Sequence, residues 1–221
     1  MSFYETLIQR TGPAREYLLT SPIILRALEG GITRDEYTAF LVQAYHHVKH
    51  TIPLLMATGS RIDSKQEWLR EAVAEYIEEE LGHQEWILND IHACGANREK
   101  ARESKPSPAT ELMIAYAYDT VQRINPLGFF GMVLVLEGTS VKLVGKAADI
   151  IQDSLGLPDE AFSYLRSHGS LDQEHMRFYE MLVDKILNQD DQELIIHAAN
   201  MFYKLYADIF RTLNEKQSLA A

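Results

Sequence analysis

Residues 167–175 read Ser167-His168-Gly169-Ser170-Leu171-Asp172-Gln173-Glu174-His175, and the spacing within this stretch decides the fold. At 3.6 residues per turn, a step of four followed by a step of three keeps His168, Asp172 and His175 within about 60° of arc on one helix face. Upstream, Glu78-Glu79-Glu80-Leu81-Gly82-His83 supplies Glu80-x-x-His83, the i, i+3 arrangement with which helix bundles aim a carboxylate and an imidazole at one metal. Asp172-x-x-His175 is its counterpart. Between the two lies Glu137, alone in the apolar run Phe129 to Gly138. Burying that carboxylate uncompensated would cost several kcal/mol or force its protonation, and a cation resolves the conflict.

Helical punctuation continues outward from these segments. Ser2-x-x-Glu5, Thr33-x-x-Glu36, Ser64-x-x-Glu67 and Asp190-x-x-Glu193 have the form of capping boxes, while Pro108, Pro126 and Pro158 suit a first helical turn. Gly12, Gly30-Gly31, Gly95 and Gly156 mark stops. The pattern predicts helices over 2–10, 13–29, 34–59, 64–93, 108–124, 126–155, 159–187 and 191–216, with Pro53 kinking or splitting the third. Apolar positions recur at three and four residues, as in Trp68, Val73, Tyr76 and Ile77 before Trp86 and Ile87, and strand-like alternation is absent. An all-α bundle follows, with a charged loop over 97–107 and one domain spanning 1–221.

The 221 residues carry a formal net charge of −11 and 46% hydrophobic content. Such a chain buries one sizeable core and repels nucleic acid and anionic lipid. No membrane-length apolar stretch and no leader-like N-terminus stand in the sequence, so the expected compartment is the cytoplasm. The single cysteine, Cys94, excludes an internal disulfide and a thiolate metal site.

Each candidate ligand also has an ordinary reading. A single histidine is more often a core or surface residue, Glu80 sits in an acidic run that water can solvate, and Glu137 can pair with an arginine. Their joint occurrence on separate helices favours metal. Three carboxylates and three imidazoles without soft sulfur suit iron. Tyr76, Tyr164 and Tyr179 lie one turn from candidate ligands and are candidates to support them, with core packing as the alternative. In Tyr45-His46-His47-Val48-Lys49-His50, His47 and His50 are candidate pocket residues, and at most one or two of these histidines can face one site. Trp68, Trp86, Phe129 and Phe130 read as core.

The order Glu-x-x-His, a lone Glu on an apolar helix, then His-x-x-x-Asp-x-x-His resembles the heme-oxygenase-like di-iron oxidases and oxygenases over nearly the whole chain. That superfamily shares a bundle of seven or eight helices with heme oxygenase and with TenA and PqqC proteins, so fold alone implies no one activity. The resemblance implies Glu80, His83, Glu137, His168, Asp172 and His175 as six ligands to two iron ions. Within that set, we expect His83 and His168 on one iron, Asp172 and His175 on the other, with a glutamate bridging. The resemblance further implies dioxygen as co-substrate, no haem, a small organic substrate that is fatty-acid-like or amino-acid-derived, an electron donor and a homodimer. The histidine-free residues 2–29 depart from heme oxygenase, which takes its proximal haem ligand from an early helix. Two other readings are carried forward: a metal-independent TenA-like (thiaminase II) hydrolase using Cys94, and a metal-binding protein without turnover. Gly169 and Ser170 make the ligand helix locally weak.

Overall fold

The computed structural model describes residues 1–213, with side chains outside 141–145 and 168–174. Among the described residues every regular element is helical: α1 (Phe3–Arg10), α2 (Gly12–Leu19), α3 (Pro22–Leu28), α4 (Arg34–Val48), α5 (Thr51–Arg61), α6 (Glu67–Glu80), α7 (His83–Ala93), α8 (Arg98–Glu103), α9 (Pro108–Asp119), α10 (Phe129–Leu155), α11 (Ser163–Val183) and α12 (Gln189–Thr212). None is long and apolar enough to cross a membrane.

These helices outnumber the expected seven or eight because local breaks divide the longer segments. Pro22 opens a new helix inside 13–29. The segment 34–59 divides after Val48, and Pro53, which has no N–H to donate, falls in the first turn of α5. The segment 64–93 breaks at Leu81-Gly82, where Gly82 has φ +92°, a conformation that costs other L-residues about 1–2 kcal/mol. The expected loop over 97–107 contains α8, whose start is capped by the Asn97 side chain accepting from Glu99 N and Lys100 N.

The Ser2 and Thr33 capping boxes form as expected. The other two do not. Asp63 caps a 3₁₀ turn over Ser64–Gln66 and Glu67 pairs with Arg70 instead. Asn188 caps α12 two residues before Asp190, which leaves Glu193 to pair with Arg10. Pro158 precedes a 3₁₀ turn, Asp159–Phe162, and α11 begins only at Ser163.

The apolar helix α10 packs along α11 and α12; α12 also packs on α2 and α9, α4 on α7, and α5 on α6. Backbones approach closely where Gly131 of α10 meets α12: a Cβ there would lie 2.6 Å from Ala199 N and 2.9 Å from Ala198 Cβ. Phe130, Phe162, Phe202, Tyr37, Tyr179 and Tyr203 fill the core. Tyr37 stacks on Phe162 with ring centroids 5.2 Å apart and donates to Ala161 O at 2.8 Å. This packing fixes the start of α11 against α4.

Candidate metal centre

Three buried side chains from three helices converge. Glu80 is the last residue of α6, Glu137 lies on the apolar α10, and His175 lies on α11. Each offers a ligand atom within 4.8 Å of the others. Glu80 and Glu137 are each only 8% exposed and His175 5% exposed, too little for water to stabilise two carboxylates side by side.

His175 presents its two nitrogens to two different acids. Nε2 lies 3.0 Å from Glu79 Oε2, and Nδ1 lies 3.8 Å from Glu137 Oε1. An ionised carboxylate only accepts, so Nε2 carries the proton donated to Glu79, and in the neutral ring Nδ1 turns its lone pair toward Glu137. Lone pair facing carboxylate is repulsive unless a proton or a cation lies between them. A carboxylate behind one nitrogen while the other faces the ligand atoms is also the usual support of a metal-bound histidine. The donor set and its burial therefore fit a hard or borderline divalent cation such as Fe(II).

The other expected ligands have different standings. His83 is buried at the first position of α7, across the Gly82 break from Glu80, and its Nδ1 lies 3.0 Å from Glu80 Oε2. The Glu80-x-x-His83 pair is thus not carried on one continuous helix. His83 lies beside Glu80 rather than in the convergent group, with its ring 4.2 Å from that of Trp86. The side chains of His168 and Asp172 lie outside the described residues.

One end of α11 is held by a buried acid that the sequence did not single out. Asp90 of α7, with no exposure, accepts from Tyr164 N at 2.9 Å, from Ser163 N at 3.2 Å and from Ser163 Oγ. These are the donors left open where a helix begins, so Asp90 caps the ligand helix from a neighbouring element. Burial pushes its carboxyl up to about 6 against the opposing effect of those bonds.

Glu80 and Glu137 also lie on the wall of a cavity of about 170 Å³. Tyr76 and Tyr164 share that wall. Tyr76 sits beside the cluster, 6.1 Å from His175 between ring centroids, and its buried hydroxyl has no hydrogen-bond partner among the described residues. Tyr179 does not line the cavity; it is core, donating to Phe130 O at 2.8 Å. His47 lines the cavity against Tyr206. His50 points elsewhere, with Nδ1 3.0 Å from Tyr118 Oη. Its neighbour His46 is buried between Lys49 and Ser104, and burial pulls it down to about 4, so it is neutral near pH 7.

The fold recurs in solved structures. A domain of unknown function with a heme oxygenase-like fold from Shewanella denitrificans is 26% identical, with a TM-score of 0.84 over 95% of this chain and 91% of that one. A TenA homologue from Pseudomonas syringae is 12% identical, with a TM-score of 0.80 over 96% and 91%. Heme oxygenase-1 from Synechocystis, solved with heme, is 13% identical, with a TM-score of 0.76 over 98% and 94%. At such identities the last two show shared fold alone. No curated protein matches the sequence. Residues 38–207, which include Glu80, Glu137 and His175, match the family described as iron-containing redox enzymes, and the chain belongs to that family.

Proposed function

We propose that this protein is a non-haem di-iron oxidase or oxygenase that uses dioxygen to oxidise a small organic substrate. The observation that carries this reading is the convergence of Glu80, Glu137 and His175, buried and drawn from three helices. Such a carboxylate-rich group suits bare ions, whereas haem iron takes an axial side chain from the protein and its remaining donors from the macrocycle.

Glu80, Glu137 and His175 would hold iron, joined in this proposal by His83, His168 and Asp172. Bound iron supplies the electrons that dioxygen needs. The protein's own work is positional. Glu79 keeps a proton on Nε2 of His175 and fixes the ring; Asp90 anchors the start of α11. The apolar wall around Glu137, with Met132, Val133 and Leu136, excludes water that would compete for oxidising equivalents.

The metal-independent hydrolase reading draws support from the TenA-like neighbour. It requires a nucleophile in the cavity. Cys94 is absent from the cavity wall, and burial pushes its thiol up to about 11, which opposes a reactive thiolate.

The test is anaerobic loading with Fe(II), a count of bound iron, then mixing with dioxygen while recording absorbance. Expected are two irons per chain and a transient visible band, both lost in His175→Ala and Glu137→Ala. Wild-type protein that binds no iron and consumes no oxygen would rule the proposal out.

A further inference from the structure

Tyr76 stands on α6 one turn before Glu80, so both side chains leave the same helix face. It is 2% exposed and shares the cavity wall with Glu80 and Glu137. Its ring is held from α11: edge contacts put it 6.1 Å from His175 and 5.7 Å from Phe178 between centroids. Of the carboxylates around the phenol oxygen, Glu137 acts on it most strongly, ahead of Glu79 and Glu80. A fixed ring therefore carries the hydroxyl to the side of the cluster.

Two other hydroxyls on that wall are satisfied within the protein. Tyr37 donates to Ala161 O at 2.8 Å and Ser140 to Glu137 O at 2.9 Å. Among the described residues, two buried hydroxyls on the wall have no partner, Tyr76 Oη and Thr139 Oγ1. A threonine hydroxyl in a helix can rotate to the carbonyl of the preceding turn. The tyrosine hydroxyl sits at the end of a rigid ring held in place, so it has no acceptor of its own to reach. Burying a polar group in this state is costly. An O–H held so, next to the ligand atoms, is placed to donate to a molecule that enters between it and them.

We propose that Tyr76 is a catalytic residue: its hydroxyl donates a hydrogen bond to the small molecule that binds at Glu80, Glu137 and His175, which is dioxygen in the reaction. The proposal rests on the oxidase reading for the identity of that molecule and adds the protein group that meets it. A neutral donor aimed there stabilises negative charge as it develops on the acceptor, without adding a charge to the buried site.

The test compares wild type, Tyr76→Phe and Tyr179→Phe, the last removing a hydroxyl that donates to Phe130 O. Each is loaded anaerobically with Fe(II), and the bound iron is counted. The protein is then oxidised and titrated with azide, followed by its charge-transfer absorbance. Tyr76→Phe is expected to bind as much iron as wild type and to hold azide about tenfold more weakly, while Tyr179→Phe matches wild type in both. Without metal, Tyr76→Phe should unfold at a denaturant midpoint equal to or above that of wild type, because the lost hydroxyl has no partner there, and Tyr179→Phe below it. Equal azide affinity in wild type and Tyr76→Phe, or a lower metal-free midpoint for Tyr76→Phe, would overturn the role of Tyr76 and leave the oxidase reading standing. Wild type that binds no iron would overturn the oxidase reading, and this role with it.

Discussion

At the scale of single residues, the site depends on what each nitrogen of His175 faces. Glu79 holds Nε2 from outside the cluster, so Glu79→Gln keeps an acceptor but removes the charge that makes the ring more basic. Fe(II) affinity is expected to fall roughly tenfold in an anaerobic titration; unchanged affinity would reduce Glu79 to a solvating neighbour. Glu79 was not legible in the sequence because three successive glutamates look alike and only the packed helix shows which of them backs His175. Glu137 was legible because a lone acid in an apolar run demands a compensating charge. For His50 and Tyr179 the sequence left two readings open for a shared reason: spacing gives the turn on which a side chain sits, while its direction depends on neighbours such as Tyr118 and Phe130.

At the scale of elements, two contacts set where the ligand helices lie. Asp90 caps α11 with a carboxyl raised from 3.8 to about 6. A folded value above the unfolded one means that this contribution to stability is fully present below about 3.8 and is lost as pH rises through about 6. The loss amounts to roughly 3 kcal/mol. Asp90→Asn carries no such titration, so the wild-type-minus-variant difference in unfolding free energy should become less favourable to wild type across that window. Denaturant titrations at several pH values measure it, and a flat difference would show that Asp90 titrates normally. The second contact is the crossing at Gly131, where Ala199 N leaves no room for a Cβ. Gly131→Ala should destabilise by about 1–3 kcal/mol, read from the denaturation midpoint, and a neutral result would mean that α10 and α12 can separate at little cost. The sequence showed these helices by their apolar period, yet missed the breaks at Pro22 and Gly82. Helical periodicity continues through a short turn, so a break shows only in the backbone angles.

At the scale of the whole molecule, the fold brings together residues far apart in sequence. The all-α class and the helix order were readable because caps and periodicity are local. The cavity was not, since Ile23, Phe40 and Leu136 on its wall are the same residue types as the core. Glu80 and Glu137 are buried together, with His83 beside the first and His175 beside the second. A cation bound there would link the end of α6, the middle of α10 and α11. Binding to the folded state alone stabilises it by about 2.7 kcal/mol at a hundredfold excess of free ligand over Kd. Anaerobic Fe(II) should therefore raise the unfolding free energy by about that amount and slow hydrogen exchange most around Glu80, Glu137 and His175. Glu137→Gln, which removes one of the anionic donors, should gain much less from Fe(II) than wild type does. Equal gains in both proteins would place the iron elsewhere in the bundle.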